Sequence, residues 1–557
     1  MSFAFLHVTR LRILLSILFL AGLASAQPRI TGIQNNYSYL VPGVPNYGIA
    51  QGSIFVLYGS GMAPDGLLQQ GFNPALSRNL GGVSVKITVS GTTTEAIPYY
   101  VSPGQIAAIL PSSTPAGSGT MTVTYNGQTS APFAFTVVRS AFGILTLGGN
   151  GLGTAAVYDL DFKYINFTNS AHPGQVVTFW GTGQGPDPND ETKLIAAPQN
   201  LSDLPFEFYI ANKAARVLYH GRSQFPGLDQ IVVEVPEGVD GCYASAYAKT
   251  GNMLSNFVTI PVAPSGKYCQ DYYASADQAK EYLDSGKTEL TSGWFYLGRF
   301  TILNPSILGQ PATTTIQEVA TAQFTKNTPF HSSNWGGVSW AHPGCVVTSW
   351  NLSSPFSAPF IKALDAGPSV TLTLPDGTTR TLAKQVNGNA LTYSFSQVNS
   401  TPGNQLFIPT GGGTFKFRAP GGEDVGATEQ SVTGFPAMVW NERGSTASVS
   451  RSQPLTITWS NAAPNSWVLI QGFSIAGTSP MIATSFGCSE EGSAGRFTIP
   501  RDVLAAMVPS NVTPQINLPQ GQFIVANYTK PGQFKAAGLD HGSIAWFTWD
   551  QIVTQFQ

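Results

Sequence analysis

The chain has 557 residues, 10% of them charged, with 59 glycines, 39 prolines and a formal net charge of −2. Ordinary soluble domains carry about 25% charged residues, so surface polarity here must come from Ser, Thr, Asn and Gln. No Lys/Arg-rich run supplies a basic field, which excludes a nucleic-acid partner, and the length suits about three to four domains.

The first 26 residues read as a signal peptide: Arg10 and Arg12 precede an apolar run over 13–20, which ends at the small-residue site Ala24-Ser25-Ala26. The run is shorter than the roughly 20 apolar residues of a membrane span. Cleavage would leave 26 basic and 30 acidic residues, a net charge of −4. The expected location is secreted, extracellular or at the cell surface, with no transmembrane segment after cleavage.

Residues 52–64, GSIFVLYGSGMAP, return 122 positions later as residues 174–186, GQVVTFWGTGQGP. Each is an apolar, β-branched and aromatic run closed by a Gly-x-Gly-x-x-Pro turn, the pattern of one buried strand. Further on, residues 105–111 (QIAAILP) match 230–236 (QIVVEVP), and the closing runs from Ser130 and Ser255 match, both at an offset of 125. Between the anchors, Val83, Val85, Ile87 and Val89 alternate in the first copy, as do Phe206, Phe208 and Ile210 in the second. Alternation marks strands with one buried face. The fold class is therefore all-β: an immunoglobulin-like sandwich over 27–140, a second over 141–270, and further β-sandwich after them. Phe55, Leu57, Val177 and Phe179 are expected to be buried at equivalent places.

Three groups of residues carry a more specific likeness. They are Pro103-Gly104-Gln105-Ile106 with Leu110-Pro111, then Gly227-Leu228-Asp229-Gln230-Ile231 with Val235-Pro236, and Ser255-Asn256 before the last run. Over residues 30–270 the chain resembles the Solibacter-type C-terminal module of large secreted acidobacterial proteins, itself similar to IPT/TIG immunoglobulin-like repeats of cell-surface proteins. The resemblance implies an extracellular pair of β-sandwiches and brings no catalytic residues. That module usually ends its protein, whereas here almost 290 residues follow.

In the remainder, helix-forming residues around 276–283 predict a linker helix within 271–286. Strand patterns then resume. Val370, Leu372 and Leu374 run into the turn Pro375-Asp376-Gly377, and Phe415 and Phe417 precede Pro420-Gly421-Gly422. One sandwich is expected at 287–435 and another at 436–557, the latter with 455–459 and 467–470 as a strand pair. Pro500 suits a first helical position and predicts a helical turn or two over 500–507.

Four cysteines in an exported chain favour disulfides, and proximity suggests Cys242 with Cys269, leaving Cys345 with Cys488. The histidines lack the spacing of a zinc site, no Gly-x-Ser-x-Gly elbow is present, and the Gly149–Gly153 run lacks a βαβ context and reads as a turn. Neighbouring carboxylates such as Glu490 and Glu491 face opposite sides of a strand, so they do not form a glycosidase pair. Asp187, Asn189 and Asp190 crowd one loop with oxygen ligands, a weak calcium candidate whose sixth and twelfth positions, Thr192 and Pro198, depart from the EF-hand pattern. No cofactor is expected. Trp335, Trp340 and Trp350 lie amid Gly and Ser, the composition both of β-sandwich cores and of sugar-stacking platforms. The function expected is binding, adhesion or a structural role, with an extracellular glycan or surface protein as partner. The alternative is an exported polysaccharide-active enzyme with its catalytic unit in 287–557.

Overall fold

The computed structural model describes residues 27–557 apart from 73–74, 202, 270–276, 278–279, 282–283, 307–310, 328–340, 353–359, 389, 400–404 and 516–517. The signal peptide expected at 1–26 lies outside the described residues. So does most of the linker helix expected in 271–286, of which Asp277, Lys280, Glu281 and Asp284 are helical. The described chain is nearly all β.

The two repeats fold as two-sheet sandwiches with matching strand order. In the first, one sheet runs Arg29–Asn35, Ile54–Ser60, Gln105–Ile109, Ile97–Val101, Leu68–Gln69; in the second, Gly143–Ile144, Val176–Thr182, Asp229–Glu234, Arg216–Arg222, Gln199–Asn200. The opposing sheets also correspond. Ile49 pairs in parallel with Val137 of one closing strand, and Ala171 with Val262 of the other, at the same offsets of 122 and 125 that the sequence shows. Phe55, Leu57, Val177 and Phe179 are all fully buried. Each organising run is an interior strand, second in its sheet, because both of its faces are apolar, and an interior strand is where such a run is covered on both sides.

Residues 287–557 are built differently from expectation. Leu290–Asn304 pairs in parallel with His541–Val553, and Gly344–Asn351 pairs antiparallel with Ile482–Glu491. One 14-stranded sheet therefore runs through both halves, and the separate sandwiches placed at 287–435 and 436–557 are corrected to two cores on one shared sheet. One core joins Phe295, Leu297 and Phe417 to Trp546; the other joins Cys345, Ile470 and Phe486 to Val503 and Phe556. Each takes a strand from the far part of the sequence, a long-range exchange that local periodicity does not encode. The strand pair expected between 455–459 and 467–470 is likewise corrected. Leu455–Ser460 pairs with Val439–Trp440 and Arg496–Ile499, whereas Ser466–Ala476 pairs with Ile482–Glu491 and Gly521–Thr529. A short helix, Arg501–Ala505, starts after Pro500.

Disulfides join Cys242 to Cys269 and Cys345 to Cys488, with Cα atoms 5.1 and 4.0 Å apart. The second links directly opposed residues of two adjacent strands.

Candidate binding cleft

The shared sheet has two unequal faces. Along Leu290–Asn304, Phe295 and Leu297 point into a core, while Trp294, Tyr296 and Phe300 point the other way; along His541–Val553, Ile544 and Trp546 are core, while Phe547 and Trp549 share the opposite face. Alternation alone puts them there. Both cores lie on one side of the sheet, and the other side carries a cleft of about 520 Å³, within the roughly 300–1,000 Å³ of ligand clefts. It crosses five neighbouring strands, from Thr313–Asn327 through Leu290–Asn304, His541–Val553 and Gly521–Thr529 to Ser466–Ala476, with Ser489 of the next strand at its rim.

Aromatic rings form its floor. Trp294 and Tyr296 lie parallel with centroids 6.0 Å apart, Tyr528 stacks on Phe547 at 5.2 Å, and Phe300 meets Phe547 at 5.2 Å and Trp549 at 5.6 Å. Small residues make room. In register, Gly298 lies opposite Phe547, Ser543 opposite Trp294 and Ala545 opposite Tyr296; a Cβ on Gly298 would stand 2.5 Å from the Phe547 ring. Trp467 forms one wall, with Lys530 Nζ 5.9 Å above its ring and His342 5.2 Å away. Lys530 Nζ is 2.9 Å from Glu491 Oε1, and His342 Nε2 is 3.6 Å from the same oxygen. These two partners hold the Glu491 carboxyl down at about 2, His342 contributing most.

Behind the opposite end, His541 meets Trp294 edge-on at 5.4 Å, and burial pushes its imidazole down to about 4. Burial raises the Tyr296 and Tyr528 hydroxyls far above the ordinary tyrosine value. Thr321 and Gln471, on the two outer strands, present a hydroxyl and an amide, both half-buried.

The residues singled out from sequence fall elsewhere. Trp335 and Trp340 lie outside the described residues. Trp350 is opposite Ala483, which is opposite Ile475, so by register it shares the cleft's face of the sheet. Its ring packs 5.9 Å from Phe473, beyond the cleft lining. Of the calcium candidates, Asp187 Oδ2 is 3.3 Å from Arg222 Nε and its Oδ1 accepts from Asn189; Asp190 accepts from Thr192 and pairs with Lys193 at 3.0 Å. These two carboxylates face different partners. Among the described residues, no three His, Cys, Asp or Glu side chains are grouped to hold a metal. The floor aromatics were missed because Trp294, Tyr296, Phe547 and Trp549 sit in strands that are apolar on both faces, which reads as full burial. The available signal was aromatics at i and i+2, the period of one strand face.

Residues 44–137 match the family model described as the IPT/TIG domain. No curated protein matches the chain. Among solved structures, the full extracellular region of plexin A4 aligns at 11% identity over 86% of this chain and 31% of its own, with a TM-score of 0.16. SGBP-B from a complex xyloglucan utilization locus in Bacteroides uniformis aligns at 11% identity over 66% of this chain and 86% of its own, TM-score 0.14. The Bacteroides ovatus mixed-linkage glucan utilization locus SGBP-B, in complex with a mixed-linkage heptasaccharide, aligns at 10% identity over 86% and 93%, TM-score 0.14. This chain thus spans about a third of the plexin region it matches. What these findings add to the fold is an immunoglobulin-like IPT/TIG domain at residues 44–137.

Proposed function

We propose that the protein is an exported, multi-domain β-sandwich protein that binds glycans through the aromatic cleft of its shared sheet, without turnover. The observation that carries this reading is the cleft itself: a floor of Trp, Tyr and Phe rings on one sheet face, walled by hydroxyl and amide side chains. Aromatic faces supply apolar area for the C–H side of a pyranose ring while hydroxyls and amides take its OH groups. Hydrolysis needs two facing carboxylates, and the described cleft lining holds none. The two disulfides support an oxidising compartment, and no described helix is long and apolar enough to cross a membrane. The tandem modules at 30–270, which resemble the Solibacter-type module, then act as a spacer that presents the cleft.

The test is titration calorimetry of the full mature chain against a panel of oligosaccharides, alongside Trp294→Ala and Trp549→Ala. Each substitution removes a stacking surface and is expected to weaken binding by about tenfold or more, the equivalent of roughly 1.4 kcal/mol, with the thermal transition retained. Release of reducing ends over many turnovers would refute the binding reading.

A further inference from the structure

Resting on that reading, we infer that the glycan is a neutral one, and that the cleft discriminates against acidic sugars. None of the described residues lining it is Asp, Glu, Lys, Arg or His. The polar atoms of its lining are Ser, Thr and Tyr hydroxyls, the Gln471 amide and Trp indole N–H groups, all uncharged. Several are spent internally: Ser489 Oγ donates to the Ala341 carbonyl, Thr529 Oγ1 to that of Trp546, and the Trp294 indole N–H to Ser292 Oγ. The side chains of Thr321 and Gln471 hydrogen-bond to no described residue, and they stand on the two outer strands, with three strands between them. A hydroxyl and a carboxamide at the two sides can each donate and accept, which suits sugar hydroxyls.

A carboxylate or sulfate brought into such a site would lose its hydration and find no cation. Burying an unpaired charge is costly enough that groups neutralise rather than accept it. Beside the Trp467 wall, Lys530 pairs with Glu491 at 2.9 Å and His342 Nε2 lies 3.6 Å from the same carboxylate oxygen, so both cationic side chains at that end already face a carboxylate of their own. His541 behind Trp294 is held uncharged at neutral pH by its burial. The walls therefore present dipoles and rings, and a chain of neutral hexoses or pentoses meets both.

The experiment uses the mature full-length protein with neutral β-glucan, mannan and xylan hexasaccharides, set against oligogalacturonate and chondroitin sulfate oligosaccharides, at about 0.05 and 0.5 M NaCl. Expected is binding of at least one neutral series, changing by less than about twofold with salt, with acidic series weaker by about tenfold or more. Tighter binding of an acidic series, lost in Trp294→Ala, would overturn the neutral assignment while keeping the cleft as the site. Binding unaffected by both Trp294→Ala and Gln471→Ala, or no binding by any series, would overturn the glycan reading and this inference together.

Discussion

Two buried titratable residues show what single side chains contribute. Arg222 is 1% exposed, with Nη1 2.7 Å from Asp229, Nε 3.3 Å from Asp187, and Nη2 donating to the Gly185 carbonyl. The first repeat closes over it: a Cβ on Gly52 would stand 2.5 Å from the guanidinium, and Ser112 donates to Glu191 and accepts from the Asp187 amide. Burial pushes the Asp229 carboxyl up to about 6 while Arg222 pulls it down, so it is ionised at neutral pH. Arg222→Leu leaves buried carboxylates without their cation and is expected to cost about 3–5 kcal/mol, measured by urea unfolding. Arg222→Lys is expected to recover only part, since an ammonium lacks the guanidinium fork. His541 gives a pH signature. Its folded value is depressed to about 4 from 6.5, so between those values the unfolded chain binds more protons and stability falls as pH falls. The loss approaches about 3 kcal/mol below pH 4, and His541→Gln is expected to flatten that part of the stability profile relative to the parent. An unchanged profile would show that another group governs it.

At the scale of strands, the cleft depends on how large and small residues are set against one another. Gly298 exists as glycine because the Phe547 ring lies across it. Gly298→Val is expected to displace that ring, disturb its stacking on Tyr528, and weaken ligand binding by more than tenfold, about 1.4 kcal/mol, with a smaller drop in the thermal midpoint; intact affinity in a folded variant would contradict this role. Much of the strand content was legible beforehand. The runs 52–64 and 174–186 announced core strands, and their burial at Phe55, Leu57, Val177 and Phe179 follows from apolarity on both faces. The cleft was not legible, because Trp294-Phe295-Tyr296-Leu297 has the same two-faced apolar character while only one of its faces meets a core. Periodicity tells which residues share a face, not what covers that face. At Trp350 the composition fitted both a core and a platform, and its ring packs 5.9 Å from Phe473.

Over the whole molecule, the repeats and the shared sheet are tied together rather than strung out. Tyr243 bridges to His342, Ser245 Oγ accepts from the Cys345 amide, and Tyr247, Leu254 and Phe257 of the second repeat belong to the same core as Trp440 and Phe523. The first repeat reaches the same region through Val44, which packs with Ile482 and Val508, and through Asn46, which donates to the Leu254 carbonyl. Such contacts join residues hundreds of positions apart, so domain boundaries read from local composition missed them. The pairing of Leu290–Asn304 with His541–Val553 has the largest consequence. It means that 287–435 alone would expose the edge of a central strand whose residues are apolar on both faces, a template for aggregation. Fragments 287–435 and 436–557 are therefore expected to be insoluble or unfolded when made separately, and to regain strand circular dichroism and the Cys345–Cys488 bond when made together. Two independent, cooperative unfolding transitions from the separate fragments would show that the shared sheet is dispensable. Because the lining of the cleft takes Trp294, Tyr296 and Phe300 from one fragment and Trp467, Tyr528, Phe547 and Trp549 from the other, ligand binding is expected only from the reassembled pair.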